Sequence, residues 1–406
     1  MRTFAVLSWS CLFAGALCAQ AATEGRFDAE RLRRVPALLQ AEVDAGRHAG
    51  LSFVVLHGER EVASGAFGKA DVGTGRPLRQ DSIVRIYSMT KPITAIAALV
   101  LVEQGKLRLD QPIAEFLPEL KAPKVFAGGT ADAPELVAVT TPITVRMLLN
   151  HTAGFTYDFF RESPVHELYR KAELWAATSS EDFLRRAAAL PLLAQPGTAW
   201  NYSIADDVLG VLVERVAQQA LGDFVREQVT GPLGMVDTDF DVEPGKRDRL
   251  ASLHKGENGR VVPMEPTFGV YAEAGRGFAA GGAGLFSTLR DYARFGRFLL
   301  GDGSLDGKRV LGRKTMELAR TDTLRGNQRT SRPADGWGLF SAVCVDPGAG
   351  SDPFSPGTLH WSGAATTTFF ADPKEDVVAV VFAQHLPFDE HKVLTRFRTA
   401  VYQAMR

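Results

Sequence analysis

Apolar residues recur along this chain with two different periods, and the change of period divides it. Residues 27–45 carry the spacing of a helix, while residues 51–56, the turn His57-Gly58-Glu59-Arg60 and residues 61–67 read as strand, turn and strand. Near the other end, residues 359–371 and 377–383 make a second strand pair around Asp372-Pro373-Lys374-Glu375-Asp376, and residues 389–405 form a closing helix. Between these ends, segments 93–104, 145–149, 180–188, 204–217 and 224–229 have helical period. Tight turns between neighbouring strands favour antiparallel pairing over a doubly wound parallel sheet, which needs long crossovers. The pattern predicts an α+β fold: an antiparallel sheet built from N- and C-terminal strands and flanked by helices, with a mostly helical region inserted. The expected boundaries are 23–90 and 276–406 for the sheet region and 91–275 for the helical one. Residues 121–140 and 256–275 are rich in Gly, Pro and Ala without clear periodicity and read as loops.

With 406 residues, 45% hydrophobic and 23% charged, the chain can bury a sizeable core. Its 46 Lys and Arg against 47 Asp and Glu leave a formal charge of -1, so no net field draws nucleic acid or anionic membrane to it. Residues 1–22 change the picture: Arg2, a mostly apolar run and the small-x-small triplet Ala19-Gln20-Ala21 read as an export signal, cleaved near Ala21. The run is short for a membrane span and no spanning segment follows, so the mature chain is expected to be periplasmic or secreted, in a bacterium. Cys11 and Cys18 leave with the signal. Cys344 remains alone, which excludes an internal disulfide, and its place in apolar residues 339–345 reads as a buried structural thiol. Nothing in the pattern speaks to oligomeric state.

Several common sites are missing: no Cys-x-x-Cys pair, no His-Glu-x-x-His, no complete dinucleotide glycine fingerprint, no phosphate-loop lysine and no Gly-x-Ser-x-Gly elbow. Ser88-Met89-Thr90-Lys91 offers another design. On a helix the first and fourth of these residues share a face, so the Lys91 amine can reach the Ser88 hydroxyl and act as its base once neutral. A second Ser-x-x-Lys, Ser252 with Lys255, runs into the turn Gly256-Glu257-Asn258-Gly259, whereas Lys91 is followed by Pro92, Ile93, Ile96, Ala97 and Val100. Only Ser88 opens a helix. Proline is tolerated in a first turn, which places Ser88 at the positive end of the helix dipole. The pattern by itself leaves Ser88 with two readings, helix-capping serine or nucleophile.

Five ordered motifs extend this reading. They are Ser88-Met89-Thr90-Lys91-Pro92; Gly105-Lys106-Leu107 with Leu109-Asp110; Leu148-Leu149-Asn150-His151-Thr152-Ala153-Gly154; Pro196-Gly197-Thr198 with Tyr202-Ser203; and Gly281-Gly282-Ala283-Gly284-Leu285 with Ser287-Thr288. With them the chain resembles the serine β-lactamase and penicillin-binding protein superfamily over nearly all of its mature length. Within it the chain looks like the class C branch, whose β-lactamase-like fold is a sheet of terminal strands flanked by helices plus an all-helical region. The resemblance implies that Tyr202 relays protons with Lys91 in activating Ser88; without it, Tyr202 reads as a core aromatic.

Two departures from the superfamily pattern bear on the substrate. Tyr-x-Asn is Tyr202-Ser203-Ile204 here, and Lys-Thr-Gly or His-x-Gly is Trp361-Ser362-Gly363, which resembles the Trp-x-Gly of family VIII carboxylesterases. His360 stands one place too early to supply the lost cation, and strand alternation turns it away from the Trp361 face. Trp361, Gly363 and Ile204 are the expected substrate-binding residues, and the lost polar groups favour neutral esters with short acyl chains. Motif alignment implies that the backbone N–H of Ala364 joins that of Ser88 as an oxyanion hole, with Gly363 allowing close approach. The expected partner is a small-molecule ester, and no metal or cofactor is implied. The alternatives are a β-lactamase, a D-alanyl-D-alanine carboxypeptidase or transpeptidase, an acyltransferase of the same superfamily, or a non-catalytic envelope-binding relative. His151 and Tyr157 read as shaping the helical region, and Trp337 either lines the pocket or packs a turn.

Overall fold

Alternation along the terminal segments builds the sheet of the computed structural model, which describes residues 26–266 and 278–406. The expected export signal and its cleavage point near Ala21 lie outside the described residues, as do residues 267–275 of the second expected loop. The strands are β1 (Gly50–His57), β2 (Arg60–Asp71), β3 (Arg76–Pro77), β4 (Asp335–Trp337), β5 (Ala342–Cys344), β6 (Leu359–Gly363), β7 (Thr367–Asp372) and β8 (Val377–Phe382). They lie in the order β4-β5-β6-β7-β8-β1-β2-β3, and every neighbouring pair is antiparallel. The two chain ends thus meet in mid-sheet, where β1 and β8 set Ser52 opposite Phe382 and Val54 opposite Val380.

Helices α1 (Arg34–Asp44), α2 (Thr90–Glu103), α3 (Ala205–Ala217), α4 (Leu289–Leu300) and α5 (Val393–Tyr402) position the sheet and the site. On one face of the sheet Leu51, Phe53, Val55, Val377, Ala379 and Val381 pack with Val35 and Leu39 of α1 and Phe397 of α5. The alternate residues Val54, Leu56, Val378, Val380 and Phe382 face the other way and share a core with Tyr292 and Phe295 of α4 and with the helical region. In α2 every residue from Thr90 to Leu101 is buried, which suits a sequence apolar on all sides, and the helix packs against α3. Among the described residues no helix is long and apolar enough to cross a membrane.

Three local expectations are corrected. Residues 121–140 hold a hairpin, Lys124–Gly129 with Pro134–Ala138, and the start of the second expected loop belongs to another, Leu253–Glu257 with Arg260–Met264. Main-chain pairing carries both, so Gly, Pro and Ala, poor strand formers, masked them. The second hairpin turns at Asn258-Gly259, with φ of 50 and 73°, the left-handed pair that such turns favour. Finally, residues 359–371 do not form one strand: β6 and β7 are separated by a turn at residues 364–366, and this turn carries Ala364.

Candidate active site

The chain enters α2 through a tight turn, Tyr87–Met89, with Tyr87 held at φ 45°, a conformation costly for an aromatic residue. Surrounding bonds over-determine it. The Ile86 N–H donates to the Leu285 carbonyl at 3.1 Å, the Tyr292 hydroxyl to the Met89 carbonyl at 2.8 Å, and the Leu285 N–H to Thr90 Oγ1 at 3.1 Å. Ser88 is left half-buried at the head of the helix, while Lys91, one turn on, is only 1% exposed. Lys91 Nζ donates to the Gly282 carbonyl at 2.7 Å and to the Tyr157 hydroxyl at 2.8 Å, and lies 3.5 Å from Ser88 Oγ. The serine contact is the longest of the three, as is common before a substrate tightens a site.

Tyr202 arrives from the segment that leads into α3. The face of its ring lies 4.7 Å from Lys91 Nζ, a cation–π distance. Its hydroxyl oxygen accepts the indole N–H of Trp361 at 3.0 Å. Because Trp361 uses an N–H, which can only donate, the phenol keeps its own proton for another acceptor. The rings of Tyr157, His151, Trp361 and Trp200 surround Tyr202 at 5.5, 4.8, 5.0 and 6.2 Å.

Gly363, the last residue of β6, brings in the third part of the site. A Cβ there would lie 2.2 Å from the Ile86 carbonyl oxygen, so only glycine lets this strand end press against the backbone that leads to Ser88. The turn bearing Ala364 follows at once, and half-buried Ala364 packs in a small cluster with Tyr87. The two expected oxyanion donors are thereby set on adjoining turns.

A buried polar layer supports Lys91 from below. The Gly282 N–H donates to Asp207 Oδ1 at 2.9 Å, so one residue, through two successive peptide groups, links Asp207 to the carbonyl that holds the amine. The fit is tight, since a Cβ on Gly282 would lie 2.5 Å from Asp207 Oδ2. Burial pushes Asp207 up from the ordinary carboxylate range to about 6, against the pull of Lys91. Its neighbour Asp206 is raised well above that range, also by burial, and sits 3.2 Å from His151 Nε2. Burial, aided by the Lys91 charge, holds His151 well below its ordinary value and so neutral.

The structure thus brings Ser88, Lys91, Tyr202 and Trp361 together and sets Gly363 and Ala364 against the turn that bears Ser88. Ile204 does not join them. It is fully buried in the main core at the start of α3, so the expected contact with substrate is replaced by packing. His360 faces away from the site, 3.2 Å from Asp335 and against Phe354. Trp337 is 1% exposed and crosses Trp361 at 4.6 Å, so it is the floor under the aromatic wall. Tyr157 is the residue that the sequence reading missed, for its hydroxyl holds Lys91 directly. Its only sequence signal is its position just after the Asn-His-Thr-Ala-Gly segment.

Residues 35–403 match the family model described as beta-lactamase. Esterase EstB of Burkholderia gladioli is 34% identical over 348 residues, covering 79% of this chain and 82% of EstB. A lovastatin esterase of Penicillium rubens is 30% identical over 372 residues, 86% of this chain and 92% of that protein. Among solved structures, EstCE1, described as a hydrolase with promiscuous acyltransferase activity, gives a TM-score of 0.81 at 28% identity, covering 92% of this chain and 99% of its own. A simvastatin synthase mutant from Aspergillus terreus shares the fold, with a TM-score of 0.80 at 24% identity over 93% of this chain and 98% of its own. The match spans both the sheet and the helical segments that meet around Ser88, and the chain belongs to the beta-lactamase family.

Proposed function

We propose that this chain is an exported serine carboxylesterase of the family VIII type, acting on neutral esters with short acyl chains. Once the Lys91 amine is neutral, Ser88 Oγ attacks the ester carbonyl and its proton passes to that amine, with Tyr202 as relay, while the N–H groups of Ser88 and Ala364 hold the oxyanion. Collapse breaks the ester C–O bond, and the leaving alkoxide takes the proton. Water then adds to the acyl-Ser88 carbonyl by the same route and frees the acid. The observation that carries this reading is the Trp361 indole on the Tyr202 hydroxyl, because it puts an aromatic group where carboxylate-binding relatives place a cation. Exposed Phe159 and Phe160 near Tyr157 and Tyr202 add apolar surface suited to an acyl or alcohol group. Support also comes from the esterases among its relatives, and the export reading rests on residues 1–22.

A second reading, acyl transfer to an alcohol, is favoured by EstCE1, whose description couples hydrolysis with transferase activity. One panel tests both: p-nitrophenyl butyrate, with and without an added alcohol, beside a chromogenic cephalosporin, on wild type and Ser88→Ala. Butyrate hydrolysis should exceed cephalosporin turnover and fall about a thousandfold or more in Ser88→Ala. Retained hydrolysis in that variant removes Ser88 from the mechanism, and efficient cephalosporin turnover with little ester cleavage makes the protein a β-lactamase.

A further inference from the structure

Behind the Ala364 turn, the short strand β9 (His385–Leu386) runs beside Leu253–Glu257. Here, among the described residues, three metal-ligating side chains converge: one ligand atom each of His385, Glu390 and His391 lies within 4.8 Å of the others. His385 Nε2 is 3.2 Å and His391 Nε2 3.7 Å from the same oxygen, Oε2 of Glu390. A fourth group faces them. The ring of His48 lies 5.0 Å from that of His385 and 5.4 Å from that of His391. Its side chain is fully buried, and neither of its nitrogens has a hydrogen-bond partner. His385 Nδ1 is buried and unpartnered as well. Leaving both His48 nitrogens unsatisfied is costly, and that ring faces the His385–Glu390–His391 group, so the cluster asks for a partner that takes nitrogen lone pairs.

We infer that His48, His385, Glu390 and His391 form a binding site for a divalent transition metal of the zinc class. Three imidazoles and one carboxylate are a borderline nitrogen and oxygen set that suits such ions better than calcium or magnesium. Ligand atoms about 3.2–3.5 Å apart are what a tetrahedral ion with bonds of about 2.0–2.2 Å requires. The pairs on Glu390 approach that spacing; rotation of the partly exposed His391, and a shift of His48, which stands outside the 4.8 Å group, supply the rest. Glu42 lies behind His48, with Oε2 at 3.8 Å from Nδ1, in the place of a carboxylate that orients a ligating imidazole. The nearby cations Arg47 and Arg396 are occupied on its other oxygen, at 2.6 and 2.8 Å. Exposed Glu390 gives the ion an entrance. The site also reaches the oxyanion turn: the His385 N–H donates to the Ala365 carbonyl at 3.1 Å, and Thr366 Oγ1 donates to the His385 carbonyl at 3.0 Å. A bound ion therefore pins the turn that carries Ala364 without touching a reacting atom.

The test uses untagged, EDTA-stripped full chain, titrated with Zn2+ by calorimetry and with Co2+ by visible absorption, with thermal melts alongside. One equivalent should bind, Tm should rise by several degrees, and Co2+ should give the visible bands of a low-coordinate nitrogen and oxygen site. His391→Ala and Glu390→Gln, both at the surface, should weaken binding at least tenfold while leaving the circular dichroism and the Tm of the stripped protein unchanged. His48→Phe, which keeps the ring volume, should do the same if it folds. No bound equivalent, or binding that both surface variants retain, overturns the site whatever the fate of the esterase reading.

Discussion

Two tyrosines divide the surroundings of one amine. Tyr157 accepts a hydrogen bond from Lys91 Nζ at 2.8 Å, whereas Tyr202 offers it the face of its ring at 4.7 Å and keeps its hydroxyl near Trp361. If the first arrangement orients the amine and the second moves protons, as proposed, their removal should differ in kind. Tyr157→Phe should lower kcat on p-nitrophenyl butyrate about tenfold, leave KM nearly unchanged and move the pH profile of kcat/KM; Tyr202→Phe should cost about 10²–10⁴ in kcat. Equal losses from the two, in steady-state kinetics on folded protein, would remove the division of labour. Tyr157 was hidden in the sequence because a lone aromatic in a loop has neither period nor motif to lift it above packing. Ile204 failed for the opposite reason. Its motif position promised substrate, but at φ −67° and ψ 9° the chain is already turning into α3, and an apolar side chain there follows the core.

The first turn of α3 sets two effects of its own against each other. A helix N-terminus favours the negative charge of Asp206 and Asp207, yet both are buried, and burial wins: Asp207 rises to about 6. A carboxyl raised in this way favours the native state while protonated. That benefit is complete below about pH 4 and is lost as pH rises through about 6, where the native state must hold a charge that the unfolded chain leaves in water. Asparagine keeps the acceptor for the Gly282 N–H without the charge. Asp207→Asn should therefore raise urea stability by up to about 3 kcal/mol at pH 8 and change it little at pH 4; a loss at pH 8 would mean that the Lys91 attraction outweighs burial. At this scale the sequence was most readable where apolar residues run nearly unbroken or recur at helical spacing, as in β1, β8, α2 and α3. It was least readable in Lys124–Gly129 and Pro134–Ala138, where main-chain bonds do the pairing and a register shift between Phe126 and Gly128 breaks alternation. The turn at residues 364–366, on which the oxyanion reading depends, lay concealed inside a run of strand-forming Thr and Phe.

Over the whole molecule the change of period along the chain does not mark a change of core. Val54, Val380 and Phe382 of the sheet belong to the same buried cluster as Leu149, Phe183 and Leu212 of the helical region, with α2 and α4 bridging them. A chain this long ordinarily unfolds through intermediates, most simply by releasing one region before the other. The shared core opposes that, because freeing the helical region would expose apolar residues that are buried in the one cluster. The chain carries its own reporters. Trp175 lies in the helical region, Trp361 on β6, and Cys344 on β5 is a buried thiol that burial pushes up to about 11, so it should resist DTNB at pH 8 until the sheet opens. Urea transitions followed by far-UV circular dichroism, by the fluorescence of Trp175→Phe and Trp361→Phe variants and by Cys344 labelling should share one midpoint. Loss of helix and of the Trp175 signal at lower urea, with Cys344 still protected, would show instead that the helical region is a separate folding unit. The site would then come apart before the sheet does, since Lys91 is held by Tyr157 from that region and by Gly282 from the segment that leads into α4. Esterase activity, measured in the same urea series, would vanish with the helical signal in that case and with every signal together if the core unfolds as one.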